Sequence, residues 1–299
     1  MSKIVISGYY GFANAGDEAM LTAIVKSLRK TEASVDLTVI SGNPQNTSTK
    51  HLVNSIHRFA PCKIYSALAN CDLLLSGGGS LLQDVTSKKS LLYYLAVILL
   101  GKMMNKKVML YAHGIGPIRS NVLRKITKMV CNKVDLITVR DTDSLDELRR
   151  LGVTDTKIKL TADAVLTLAQ ADKVQGFKLL QNFNLSKDKP IVAISVRNWG
   201  SDNKYLQEMA KAADMLSKEK AVQIALLPLQ YPADVVACKK LQQFMKAEAV
   251  ILDTAFDTEQ FLAIMGCFDL LIGMRLHALV FAAVMGTPFI ALSYDPKID

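Results

Sequence analysis

Runs of apolar residues of strand length, continuous rather than alternating, recur along this chain with stretches of helix length between them. Leu73-Leu74-Leu75 and Val108-Met109-Leu110 offer water no polar face. A strand of that kind must be covered on both sides, which selects a parallel sheet between two layers of helices. The pattern predicts strands at 3–7, 35–41, 72–76, 107–113, 135–140 and 157–161, with a helix from about 17 to 30. From Gln170 to Lys189 the rhythm lapses into a polar segment ending at Pro190, and a second rhythm then begins. It predicts strands at 191–196, 221–227, 249–252, 269–272 and 288–292, and helices at 203–218, 232–246, 258–267 and 276–285. The expected fold is α/β, two Rossmann-like domains in series at 1–172 and 173–299. Ligands of such sheets bind at the carboxyl ends of the strands, so the active site is expected in the interdomain cleft. The chain stops at Asp299 just after a strand, so a closing C-terminal helix is expected to be missing.

Composition narrows the function classes. The 299 residues suffice for about two domains, and half of them are hydrophobic. The net charge of +9 favours anionic partners, yet the Lys and Arg are scattered without interleaved aromatics, which argues against a nucleic-acid surface. Cys62, Cys71, Cys131, Cys238 and Cys267 form no CxxC pair and no metal-ligand spacing; they read as buried thiols in a reducing cytoplasm. The start at Met1 runs directly into a strand without a secretory pattern. Leu91–Met104 is too short to span a bilayer and is expected to be a buried helix. No metal or cofactor is called for.

Five constellations fall at strand ends. Gly8-Tyr9-Tyr10-Gly11-Phe12-Ala13-Asn14-Ala15-Gly16-Asp17-Glu18 is neither a P-loop nor GxGxxG. Its acids disfavour phosphate, so Asn14 and Asp17 are read as facing sugar hydroxyls, with Asp17 also suited to cap the helix. Ser76-Gly77-Gly78-Gly79-Ser80 suggests close passage of backbone or ligand at Gly78 and Gly79. His113, in Tyr111-Ala112-His113-Gly114-Ile115-Gly116-Pro117, and Arg140, beside Asp141, are further cleft-lining candidates. Arg197, in Ser195-Val196-Arg197-Asn198-Trp199, is a candidate anion clamp. The most informative set is Gly273-Met274-Arg275-Leu276-His277, where an apolar strand runs straight into a helix. A helix N-terminus attracts anions, an Arg there adds a planar fork, and a His supplies an acid or base near neutral pH. Lys297 is placed at the cleft edge.

Together these segments resemble the polysaccharide pyruvyltransferase family, in particular its CsaB-type branch acting on secondary cell-wall polymer. The resemblance rests on Gly8 to Glu18, Gly77-Gly78-Gly79, His113 to Pro117, Ser195 to Trp199 and Arg275-Leu276-His277, in the family's order. Ala13-Asn14-Ala15-Gly16 departs mildly from the family's pattern, and the family's C-terminal helical tail is lacking. The resemblance implies a GT-B-like fold. It also implies transfer of a pyruvyl group from phosphoenolpyruvate to a sugar, such as the N-acetylmannosamine of a lipid-linked cell-wall polymer precursor, with release of phosphate. Arg275, Leu276 and His277 are then donor contacts and Arg197 a second anion ligand; the chemistry needs an acid to protonate the donor methylene, and His277 is the residue chosen for it. Phosphoenolpyruvate is a co-substrate, and no cofactor is implied. A lipid-linked acceptor puts the enzyme in the cytoplasm, held peripherally on the inner membrane face. The oligomeric state stays open. The competing reading is a nucleotide-sugar glycosyltransferase or epimerase of the same architecture. It needs a ribose-binding acid after His277, and 278–285 contains none.

Overall fold

A computed structural model describes residues 1–200 and 202–293. The chain divides into two compact units, one of Met1–Phe12 with Asp17–Thr167, the other of Leu168–Asp299 with the short segment Ala13–Gly16.

In the first unit β1 (Lys3–Ser7), α1 (Ala15–Thr31), β2 (Asp36–Ser41), α2 (Pro44–His51), β3 (Asn54–His57), α3 (Pro61–Ala69), β4 (Leu73–Leu82), α4 (Lys88–Met103), β5 (Lys107–Ile115), α5 (Asn121–Cys131), β6 (Leu136–Val139), α6 (Thr142–Leu151) and β7 (Ile158–Leu160) follow in order. The sheet runs β3-β2-β1-β4-β5-β6-β7, and every pairing is parallel. The strand order reverses between β1 and β4, which makes their carboxyl ends the switch point where such sheets take ligands.

The second unit contributes α7 (Lys173–Gln181), β8 (Ile191–Ser195), α8 (Lys204–Lys220), β9 (Gln223–Leu226), α9 (Ala233–Phe244), β10 (Ala249–Ile251), α10 (Thr258–Met265), β11 (Leu270–Gly273), α11 (Leu276–Met285) and β12 (Phe289–Ala291). Its parallel sheet has the order β10-β9-β8-β11-β12, with the switch between β8 and β11. Both sheets are the α/β doubly wound type that the continuous apolar runs predict, and all five residues of β8 are buried.

Several local expectations are corrected. The segment read as a polar lapse contains α7, which buries only Gly176 and Leu180 and so shows no amphipathic stripe. Gly176 lies directly against the Ala263 carbonyl, bringing α7 and α10 together backbone to backbone. The short edge strand β3 and the helix α2 before it were not anticipated. The three glycines lie inside β4, which pairs with β5 as far as Leu82 opposite Ile115. Helix α1 starts at Ala15, so Asp17 sits in its first turn rather than capping it. Cys62 is exposed, whereas the other four thiols are buried. Burial pushes Cys131 and Cys238 up to about 12. Leu91–Met104 corresponds to α4, whose buried face is Leu91, Tyr94, Leu95, Val97, Ile98 and Gly101. Among the described residues no helix is long and apolar enough to cross a membrane.

Candidate active site

The switch point of the second sheet gathers the candidate anion-binding residues. Ser195 ends β8 and is in register with Gly273, which ends β11. Arg197 and Arg275 each follow two residues later, so two cations leave adjacent strands at the same edge. Helix α11 starts at once after Arg275, and no side chain caps its first turn. Its first amides, like those at any helix start, lack intrahelical partners, and the macrodipole makes that end attractive to anions. The Ser195 hydroxyl is buried beside this turn and has no hydrogen-bond partner among the described residues.

Arg275 is held in place by protein. Its Nε donates to the Asp234 carboxylate at 2.9 Å, and its Nη2 donates both to the same carboxylate and to Gln230 Oε1 at 3.3 Å. Asp234, in the first turn of α9, also accepts the Gln230 backbone N–H at 2.9 Å and is 2 % exposed. A bidentate pair of this kind fixes the plane of the guanidinium. Nη1 makes no hydrogen bond among the described residues. Sequence reasoning singled out Arg275 as a candidate and did not anticipate its partners Asp234 and Gln230, although an acid at the start of a helix is a weak signal.

His277, in the first turn of α11, has a buried Nε2. Its ring packs against Gly16, where any Cβ would collide with the imidazole. The Ala13–Gly16 segment is pinned beside it by Ala15 N–H to Leu229 O at 2.9 Å and Tyr231 N–H to Ala13 O at 3.1 Å. Asn14 bridges Gln230, and its side chain accepts the Gly16 N–H at 3.0 Å. Gly16 thus has a steric purpose that the sequence did not reveal: it makes room for His277. Arg197 lies over the Trp199 ring at 5.8 Å. The Tyr205 hydroxyl of α8 donates to Arg197 O at 2.6 Å and accepts the Trp199 N–H, fixing this loop.

The candidates in the first unit are engaged internally. Gly78 and Gly79 are buried and take φ of +51° and +76°. A Cβ at Gly78 would strike Met20, and one at Gly79 would stand 3.2 Å from the Asp17 carboxylate. Side chains of Met20 and Asp17 stand where a Cβ at these glycines would lie. His113 lies inside β5 with no exposure, and its Nε2 is 3.0 Å from Ser76 O. Burial pulls its pKa from 6.5 down to about 4, so it is neutral near pH 7. Arg140 pairs with Asp163 at 3.0 Å and Asp141 at 3.4 Å and donates to Ser80 Oγ. Glu18 is buried, accepting the Gly11 N–H at 2.8 Å and meeting His51 Nε2 at 3.2 Å. Lys297 lies outside the described residues.

Two doubly wound parallel sheets, with cations and an uncapped helix at the switch point of the second, define a GT-B-like architecture. Solved structures of that class are similar over nearly the whole chain. UDP-N-acetylglucosamine 2-epimerase from Methanocaldococcus jannaschii has a TM-score of 0.69 and 13% identity, covering 99% of this chain and 84% of its own. Anabaena HepE, solved in complex with UDP-glucose, has a TM-score of 0.65 and 14% identity, covering 97% and 80%. E. coli ADP-heptose LPS heptosyltransferase II has a TM-score of 0.57 and 12% identity, covering 100% and 87%. The profile of the polysaccharide pyruvyl transferase family matches residues 14–296, and the chain belongs to that family. Amylovoran biosynthesis protein AmsJ of Erwinia amylovora is 24% identical, covering 99% of this chain and 84% of its own length.

Proposed function

We propose that this transferase moves the pyruvyl group of phosphoenolpyruvate onto two hydroxyls of one sugar, forming a ketal and releasing phosphate. The observation that carries the reading is the start of α11, with no side-chain cap, flanked by Arg275 and by Arg197 from the adjoining strand. Phosphoenolpyruvate presents a carboxylate and a phosphate on one small carbon frame. Two guanidinium groups and a helix terminus suit that pair of anions.

Protonation of the donor methylene makes the adjacent carbon electrophilic, and a sugar hydroxyl adds to it and loses its proton. The C–O bond to phosphate then breaks, and a second hydroxyl of the same sugar closes the ketal and loses its proton to the departing phosphate. Nothing is oxidised or reduced. His277 is proposed to deliver the proton, with its ring positioned by Gly16. Arg275, oriented by Asp234, and Arg197 are proposed to hold the anionic groups. The acceptor is proposed to be an N-acetylmannosamine of a lipid-linked cell-wall polymer precursor, on the resemblance to the secondary cell-wall branch; likeness to AmsJ supports a polysaccharide acceptor more broadly. A net charge of +9 supports peripheral attachment to the inner membrane face, which should be released as salt rises.

The test separates binding from turnover. Phosphoenolpyruvate should raise the melting temperature, and UDP-sugars at equal concentration should not. His277→Ala should leave donor affinity nearly intact and lower kcat by roughly 10²–10⁴. Stabilisation by UDP-sugars alone would transfer the assignment to a nucleotide-sugar enzyme. Full turnover by His277→Gln would remove the acid role.

A further inference from the structure

The first unit carries a cluster that no part of the donor site uses. Tyr9 and Phe12, in the loop after β1, stack with centroids 4.3 Å apart and planes 13° from parallel. Arg58, just after β3, places its guanidinium 5.3 Å from the Phe12 ring, 5.0 Å from Phe59 and 4.6 Å from Tyr93 of α4. The Tyr93 hydroxyl donates to Arg58 O at 3.1 Å and fixes that turn. No carboxylate among the described residues pairs with Arg58, and its buried Nε makes no hydrogen bond. Phe59 is 71% exposed.

A purely structural arginine in such a place is usually neutralised by an acid, and a purely structural Phe is buried. Here the rings position the cation, no carboxylate among the described residues lies within ion-pair distance of it, and one aromatic face stays open to solvent. The cluster also lies at the carboxyl end of the first sheet, the edge at which doubly wound sheets bind ligands. Helix α3 begins two residues after Phe59 with no side-chain cap, which adds to the positive potential. Aromatic faces match the C–H face of a sugar ring, and a planar guanidinium matches a phosphate.

We infer that Arg58, with Tyr9, Phe12, Phe59 and Tyr93, is a subsite for a glycosyl phosphate. The sugar ring would lie on the aromatic face and its phosphate ester would pair with Arg58. Assigning this ligand to the acceptor rests on the pyruvyl-transfer reading; the binding itself does not. The same phosphate could come from a soluble sugar phosphate or from a lipid-linked one.

The test is equilibrium binding to the full chain without turnover. The probes are N-acetylmannosamine 1-phosphate, glucose 1-phosphate, their methyl glycosides, inorganic phosphate and phosphatidylglycerol vesicles, followed by calorimetry and saturation-transfer NMR. A sugar phosphate should bind more tightly than its methyl glycoside or phosphate alone, and saturating phosphoenolpyruvate should not displace it. Arg58→Ala should weaken binding roughly ten- to hundredfold, the usual worth of a charge-assisted contact. Phe59→Ala, at an exposed position that leaves the core intact, should weaken it by roughly threefold to tenfold. A lipid-linked sugar phosphate in detergent should show the same Arg58 dependence. Equal binding by wild type and both variants overturns the proposal. So does Arg58-dependent capture of the vesicles with no affinity for either sugar phosphate, which would make the cluster a lipid-headgroup site. Arg58-dependent sugar-phosphate binding in a protein that never consumes phosphoenolpyruvate would leave the subsite standing and refute only the pyruvyl-transfer reading.

Discussion

Replacing Asp234 tests whether Arg275 works as a fixed fork or as a free cation. The carboxylate is 2 % exposed and accepts from Arg275 Nε, Arg275 Nη2 and the Gln230 backbone N–H. Asp234→Ala strands a guanidinium that is itself only 15% exposed. Breaking one side of a buried pair costs about 3–5 kcal/mol, more than an exposed ion pair is worth, because the remaining charge stays desolvated. At roughly 4 °C per kcal/mol for a unit of this size, the melting temperature should fall by roughly 12–20 °C. Asp234→Asn keeps one acceptor and should fall about half as far. Both should raise the KM for phosphoenolpyruvate, with a smaller change in kcat, because they loosen the proposed donor-binding group and leave His277 in place. Two variants in contact should also be non-additive, so Asp234→Ala with Arg275→Ala should cost less than the two single changes summed. Thermal melts and steady-state phosphate release measure all of this. An Asp234→Ala protein that melts at the wild-type temperature with an unchanged donor KM would refute the reasoning.

Gly16→Ala isolates the seat of His277. Ala is the better helix former by about 1 kcal/mol, so propensity alone would stabilise α1. The collision with the imidazole should instead lower kcat by about a hundredfold, the usual effect of a misplaced catalytic group; a more stable and equally active variant would contradict this. His113 predicts a pH effect on stability. Its pKa of about 4 in the folded chain lies below the unfolded 6.5, so the unfolded state binds the extra proton first. Its contribution is therefore complete above pH 6.5 and is lost as pH falls toward 4. At pH 5 the loss is about 2 kcal/mol. Denaturant titrations at pH 7 and pH 5 should show that difference shrinking in His113→Gln.

Burial determined what the sequence could disclose. Strands covered on both faces, such as β8 and the Leu73-Leu74-Leu75 start of β4, announce themselves as unbroken apolar runs. The edge strand β3 is half exposed and largely polar, and α7 buries only two residues, so neither carries a period to detect. Arg197, Arg275 and His277 stood out as candidates because polar residues directly after apolar strands need a reason. Asp234 was not, because its partner lies 41 residues away and an acid in a first helical turn has an ordinary explanation in the dipole. The glycine run is ambiguous for a related reason. Three glycines can admit a ligand or a neighbouring side chain, and here Tyr10, Met20 and Asp17 occupy the space. The Arg58 cluster draws on three separate segments of chain and has no signature in any one of them.

Carbon NMR with phosphoenolpyruvate labelled at its enol carbon follows the proposed chemistry directly. Incubated with the chain and a lipid-linked N-acetylmannosamine acceptor, the label should move from the enol resonance to a ketal resonance on the sugar, with one phosphate released per ketal formed. His277→Ala should slow that conversion while still binding the donor. An unchanged enol signal alongside turnover of a UDP-sugar would contradict the account.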